Sequence, residues 1–471
     1  MKKYYTFLSV SIVFLLTTFF IVSCSDDDEY LPVDDLPVAT DDVLTYIAGN
    51  SIAINVLEND TSGDAVDPVT VSLVGGTDTD SNGSLDRKEV AGEGVWSVTN
   101  EGIVNFSPVT NFLGNPSVVS YTVNDLQGNT SNVATITLTV ISGVNVDLSQ
   151  VPYEKLSDYS FFTGLMKDQN PTLGVLPYEP ASSLFTDYAL KKRFVWMPEG
   201  TLATYNGDGK ILELPTGAVI IKNFYYNNVQ PSNTTRIIES RLMIRKSTGW
   251  IFAEYVWNNE QTEAFLSMNG SNTNVTWLDE NNNQRSTNYR IPSEGECFVC
   301  HKSNEVAIPI GIKPQNINVP YNYVTGSQNQ LAKWIQMGYL ENNIPSNILT
   351  TVNYKDESQS IDLRARSYVD INCAHCHQNS SHCDYRPMRF AFSESVDLIN
   401  MGVCVDTQDM AGFPAALSKV VTPGNTNRSM LHYRMNSTDP AAMMPLIGRS
   451  LVHEEGLQLI EAWINSLDPC E

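Results

Sequence analysis

Between residues 37 and 142 apolar and polar positions alternate in short runs: "VLTYIA", "SIAINVL", "VTVSLV", "GVWSVT", "IVNFSP", "VVSYTV" and "VATITLTVI". Alternation with period two turns one side of an extended chain toward a core and the other toward water. Gly, Asn, Asp and Pro turns separate the runs, so the pattern predicts strands stacked as an antiparallel β-sandwich. After a linker at 143–150, the stretch from 151 to about 290 carries "ILELPTGAVIIKNFYY", "RIIESRLMIR" and "WIFAEYVWN". Its Ile, Tyr, Trp and Phe content predicts a second β-rich unit. Near the C-terminus the period changes. "SIDLRARSYVDIN" puts Ile361, Ala365 and Tyr368 on one helical face, and "HEEGLQLIEAWINSL" repeats Leu457, Ile460, Ile464 and Leu467 at helical spacing. Glu454 and Glu455 fall in the first turn of the second helix, where carboxylates complement its dipole.

The first residues change the picture of where the chain works. Lys2 and Lys3 precede an apolar run from Phe7 to Val22, and "IVSC" follows, with Ser23 directly before Cys24. This resembles the bacterial lipobox: residues 1–23 read as a lipoprotein signal peptide, Cys24 as the lipidated residue, and the acidic 24–36 as a tether. A single membrane-spanning anchor is the alternative reading of the same run. The mature protein is expected in the bacterial cell envelope, lipid-anchored at the outer membrane on its periplasmic or surface face, where disulfides are permitted. A formal charge of −24, from 53 acidic and 29 basic residues, argues against a nucleic-acid partner. With 471 residues and 42% hydrophobic content, the chain can build several packed cores.

The 8 cysteines carry the candidate chemistry. Four fall into two identical patterns, "CFVCH" (Cys297, Cys300, His301) and "CAHCH" (Cys373, Cys376, His377). C-x-x-C-H is the attachment signature of c-type haem. Two cysteines three apart share a helical turn and can both reach the vinyl edge of a porphyrin, while the next residue offers imidazole to the iron. A four-cysteine zinc site would not need a histidine after each pair, and a thioredoxin-like dithiol would sit in a βαβ pattern that neither motif shows. Two covalently bound haems c are therefore expected. Cys383 and Cys404 enclose a short polar segment and are expected to form a disulfide; Cys470 is left without a role.

Each iron then needs a sixth ligand or an open position. Met444, held before Pro445 and just ahead of the closing helix, is the expected distal ligand of the second haem, with Met443 and Met435 as alternatives. For the first haem, Met337 and Met197 are the candidates, and His382, His432 and His453 also offer imidazoles. A separate acidic loop, "DTDSNGSLDRKE", has the spacing of a twelve-residue calcium loop: Asp78, Asp80, Asn82, Ser84, Asp86 and Glu89 as ligands and Gly83 at the turn. An acidic hairpin turn is the alternative.

Two resemblances add to this reading. Residues 37–142 resemble the immunoglobulin- or cadherin-like modules of secreted bacterial proteins, on "VLENDTSGD" and "VSYTVNDLQGN". From about 151 to 471, "LFTDYALKKRFVWMPEG", "YRIPSEGECFVCH", "INCAHCHQNSSHCDYRP" and "MNSTDPAAMMPLIGRSLVHEEG" resemble a bacterial family of diheme c-type cytochromes with a β-rich N-terminal part. Met444 before its proline is similar to the axial methionine of class I cytochromes c. The expected fold is multidomain, β plus α: an immunoglobulin-like sandwich at 37–142, a β-rich domain at 151–345 ending in the first haem motif, and a mainly helical class I-like cytochrome c domain at 346–471 with the second. The expected function is single-electron transfer between a redox donor protein and an acceptor, without catalytic residues. A diheme cytochrome c peroxidase-like enzyme, or a redox subunit fed by an extracellular dehydrogenase, are the alternatives.

Overall fold

The computed structural model describes residues 35–110 and 112–470. The signal peptide, Cys24 and most of the tether lie outside the described residues. Among those described, no helix is long and apolar enough to cross a membrane.

The first unit is a two-sheet sandwich. Its strands are β1 (Asp42–Ile47), β2 (Ile52–Asn55), β3 (Ser72–Leu73), β4 (Arg87–Val90), β5 (Gly94–Val98), β6 (Ile103–Pro108), β7 (Val119–Thr122) and β8 (Ala134–Ile141). One sheet has the order β1-β8-β7-β3, the other β2-β6-β5-β4. The inward phase of each run, including Trp96, Val104, Phe106, Tyr121 and Ile136, forms one core. Two features depart from the expected pattern. β1 pairs with β8 in parallel, and the charged segment "RKEV" forms β4 by adding to the edge of β5. Exposed edge strands carry charge without loss of core burial, which hides them from a hydrophobic pattern.

The second unit contains two short strands, β9 (Phe162–Thr163) and β10 (Asn170–Pro171). Its main sheet is built from β11 (Leu176–Tyr178), β12 (Leu190–Trp196), β13 (Val219–Val229), β14 (Thr234–Lys246), β15 (Gly249–Trp257), β16 (Ala264–Leu266), β17 (Asn269–Leu278) and β18 (Gln284–Ser293). The order is β11-β12-β13-β14-β15-β16, with β17 paired to β13 and β18 to β17. Both faces of the sheet are covered. Phe194, Ile221, Leu242 and Tyr255 pack on one side. Val195, Ile220 and Met243 face the other, against Trp334 and Leu331. Burial on both faces explains why these strands read as nearly continuous apolar runs.

Six α-helices follow: α1 (Glu294–Cys300), α2 (Pro314–Ile317), α3 (Gln330–Gln336), α4 (Ile361–Asn372), α5 (Met430–Met435) and α6 (Glu454–Asn465). The chain is multidomain and β-rich, with few helices. The 346–471 region, expected from sequence to be mainly helical, is not: turns and irregular chain connect α4, α5 and α6. The two long helices do pack together as their periodicity implies. Ala365, Tyr368 and Val369 of α4 share a core with Ile460, Trp463 and Ile464 of α6. Between them the backbone is satisfied by local side-chain and turn hydrogen bonds, which leave no helical period to read.

The disulfide differs from expectation too. Cys404 bonds Cys470, with Cα atoms 5.9 Å apart, because the chain turns back after α6; Cys383 is a free, buried thiol. Its N–H donates to the Cys376 carbonyl at 3.0 Å, which fixes it beside the second motif and away from Cys404. The bond closes a loop of 66 residues. Cys470→Ser is expected to lower stability by about 2–4 kcal/mol in guanidinium unfolding. Reductant should remove the same increment from the wild type and nothing from the variant.

Candidate functional site

β18 runs directly into α1. Ser293 caps the helix, and the Glu296 carboxylate returns to the Ser293 N–H at 2.8 Å, completing a capping box. Arg290 holds the same carboxylate at 2.7 Å and, as the main cause, keeps its pKa down at about 2. This cap starts the helix so that Cys297 and Cys300 share one turn. His301 ends it, and its Nδ1 lies 3.0 Å from the Ile308 carbonyl. Donation there leaves the Nε2 lone pair available to a metal. Burial pushes the His301 pKa down to about 3, so the ring is neutral.

The second motif follows α4, with Cys373 as its C-cap. The N–H groups of Cys376 and His377 both donate to the Cys373 carbonyl, at 3.1 and 3.0 Å, so a helical turn continues across the motif. His377 is buried, meets the Phe390 ring edge-on at 5.3 Å, and has its pKa pushed down to about 4 by burial. Its Nδ1 has no hydrogen-bond partner among the described residues.

Each motif lines its own cavity. Cys297, Cys300 and His301 line one; Cys373, Cys376 and His377 line the other. The cavities share a wall that includes Cys300, Asn372, His375, Ile447 and Arg449. Across it, the Cys300 and Cys376 sulfurs and a His375 ring nitrogen lie within 4.8 Å of one another. As free thiols the two interact directly: a hydrogen bond from Cys376 favours the Cys300 thiolate, and the same bond pushes the Cys376 thiol far up. Buried Asp370 fixes the relative position of the two motifs. It accepts from Lys313 Nζ at 3.0 Å, Gln315 at 3.2 Å, Asn316 at 2.9 Å and the Phe392 N–H at 3.0 Å. The donor set fits haem c: two motif sulfurs and one neutral imidazole per cavity, buried at His377 and half-buried at His301, with largely apolar and aromatic surroundings.

Met444 lines the second cavity with His377, whereas Met443 is buried outside it and Met435 lines it as well. The Met444 backbone is held at both ends. Its N–H donates to the Arg434 carbonyl at 3.0 Å, and its own carbonyl accepts from Arg449 Nη2 at 2.8 Å and Nε at 3.1 Å. Arg386 and Arg434 also line this cavity; Arg386 pairs with Asp409 at 2.7 Å. The first cavity corrects two expectations. Met197 is packed in the core beneath the sheet and Met337 is partly exposed at the end of α3; neither lines the cavity. The methionine that does is Met243 of β14, which the sequence did not single out. His453 is no free ligand, since Tyr368 and Tyr354 hydroxyls lie 2.9 and 3.2 Å from its two ring nitrogens. His382 lines the second cavity and His432 lines neither.

In the acidic loop the carboxylates of Asp78, Asp80 and Asp86 lie within 4.8 Å of one another. Asp78 accepts from the Gly83 and Ser81 N–H groups and Asn82 from that of Ser84, so much of the loop's acceptor capacity is used internally. Glu89 stands apart, on β4, with Arg87 at 3.9 Å. The six-ligand set expected from sequence is thus reduced to three gathered carboxylates.

Residues 34–139 match the family profile of the bacterial Ig domain, so the first unit is a bacterial immunoglobulin-like module. No curated protein matches the chain. Among solved structures, one similarity is to BT4661, a SusE-like surface-located polysaccharide-binding protein from the Bacteroides thetaiotaomicron heparin utilisation locus. Identity is 14% and the TM-score 0.15, over 47% of this chain and 36% of that one. Another is to extracellular domains 3–5 of Drosophila OTK, at 11% identity and a TM-score of 0.16, over 54% of this chain and 84% of that one.

Proposed function

We propose that this chain is an envelope-anchored diheme c-type cytochrome that carries single electrons between a donor and an acceptor protein. The observation that carries the reading is the meeting of the motifs, with Cys300 and Cys376 sulfurs within 4.8 Å across one shared wall. Bound haem supplies one-electron iron chemistry. The protein's part is to anchor each porphyrin edge through two sulfurs, to present a neutral imidazole, and to exclude water with aromatic and aliphatic walls. Electron tunnelling falls steeply with distance, and sulfurs in near contact would bring the two porphyrin edges together. The bacterial Ig module supports work outside the cytoplasm, and lipidation at Cys24 would tie it to the membrane.

One observation favours a second reading. Cys300, His375 and Cys376 could together hold a zinc ion. That site would leave Cys297, Cys373, His301 and His377 without a role, and among the described residues no fourth ligand joins it. Magnetic circular dichroism, metal analysis and peroxide turnover on the intact protein separate the readings. We expect iron, low-spin signals from both haems, and no turnover of peroxide with a reduced donor. A high-spin first haem with turnover would replace the carrier by a peroxidase, and zinc in place of iron would overturn both.

A further inference from the structure

Positive charge is gathered on the sheet face that forms the floor of the first cavity. The register pairs Tyr178 with Arg193, Arg193 with Lys222, Lys222 with Arg241, and Arg241 with Glu254. Directly paired residues point to the same side of a sheet, so these five side chains form one row across five strands, and all of them line the cavity. Three adjacent cations in such a row repel one another.

The two ends of the row are neutralised unequally. Arg241 is paired with Glu239 and, at 3.3 Å, with Glu254. Arg193 is 5% exposed, its Nη1 has no hydrogen-bond partner among the described residues, and half-exposed Glu179 is 3.8 Å away. Lys222 lies over the Phe224 ring at 4.9 Å and makes no ion pair among the described residues. Arg193 is thus held by one half-exposed carboxylate and half-buried Lys222 by none among the described residues, and desolvated cations so weakly compensated are costly.

We propose that Arg193 and Lys222 form a seat for two carboxylates, the propionates of the haem held by Cys297 and Cys300. This rests on the haem reading above. The row also has the right polarity along its length. Cys297 is within electrostatic reach of Arg241 and Glu239, at the neutralised end. Neighbouring strands lie about 4.8 Å apart, so Arg193 is roughly 10 Å further along. A porphyrin carries its vinyl and propionate groups on opposite edges, so cysteines at one end of the row direct the carboxylates to the other.

The test is potentiometry on the full-length, haem-loaded protein. The first haem is identified as the one lost in Cys297→Ala/Cys300→Ala. Arg193→Gln/Lys222→Met should favour its oxidised form about tenfold, a fall of about 59 mV for one electron, because the reduced haem loses two stabilising cations. The second haem should not move, and charge-retaining Arg193→Lys alone should leave the first potential near its wild-type value. Two haems with an unmoved first potential would sink the seat alone. A first potential that responds to added succinate in the wild type would show that the row takes free anions, and would also overturn it. Wild type without haem would remove the haem reading and the seat with it.

Discussion

Replacing Arg449 with alanine is expected to release Met444 from the second cavity and to destabilise the C-terminal region. The Arg449 side chain is 7% exposed and donates to the carbonyls of Met444, Arg434, Met435, Ser437 and Leu451. Hydrogen bonds from a charged donor each contribute about 1.5–3 kcal/mol, and stranded buried acceptors add their own cost. Bonds sharing one side chain are not additive, so the expected loss is about 4 kcal/mol in guanidinium unfolding. A merely structural role would stop there. Arg449 also fixes the carbonyl of Met444 itself, so the methionine–iron charge-transfer band should disappear. Arg449→Lys keeps the charge without the planar fork and should recover only part of the band.

Met444→Ala should remove that band outright. A thioether ligand raises the potential of a histidine-ligated haem. Its loss should favour the oxidised second haem roughly a thousandfold, about 180 mV at 59 mV per decade. The vacated position should then take added imidazole. Met443→Leu is the control: Met443 lies outside the cavity, and the band should survive. A band that persists in Met444→Ala would assign the ligand to another methionine lining the cavity, Met435, Met430 or Met388, which the same substitution at each would separate.

Much of this was legible in the sequence because its causes are local. The alternation of "IVNFSP" and "VATITLTVI" predicts β6 and β8, and the spacing in α6 predicts the face that packs on α4. The two C-x-x-C-H motifs and the Met-Pro pair are chemical signals that need no fold. What escaped is tertiary. β4 is recruited by its neighbour rather than by its own residues. Nearness in sequence favoured Cys383 for Cys404, but the reversal after α6 delivers Cys470. Arg193, Lys222 and Arg241 lie on three strands and become a row only when the register is known. Met243 is hidden for the same reason, since a methionine in "RLMIR" reads as filling until its face is assigned. Nothing in either motif alone states that Cys300 and Cys376 meet.

The central claim is covalent haem at both motifs. It is tested most directly by a pyridine haemochrome assay with intact mass measurement, on protein made alongside working cytochrome c maturation machinery. The account predicts two haems per chain, attached at Cys297/Cys300 and Cys373/Cys376. Colourless protein of unmodified mass carrying zinc would contradict it.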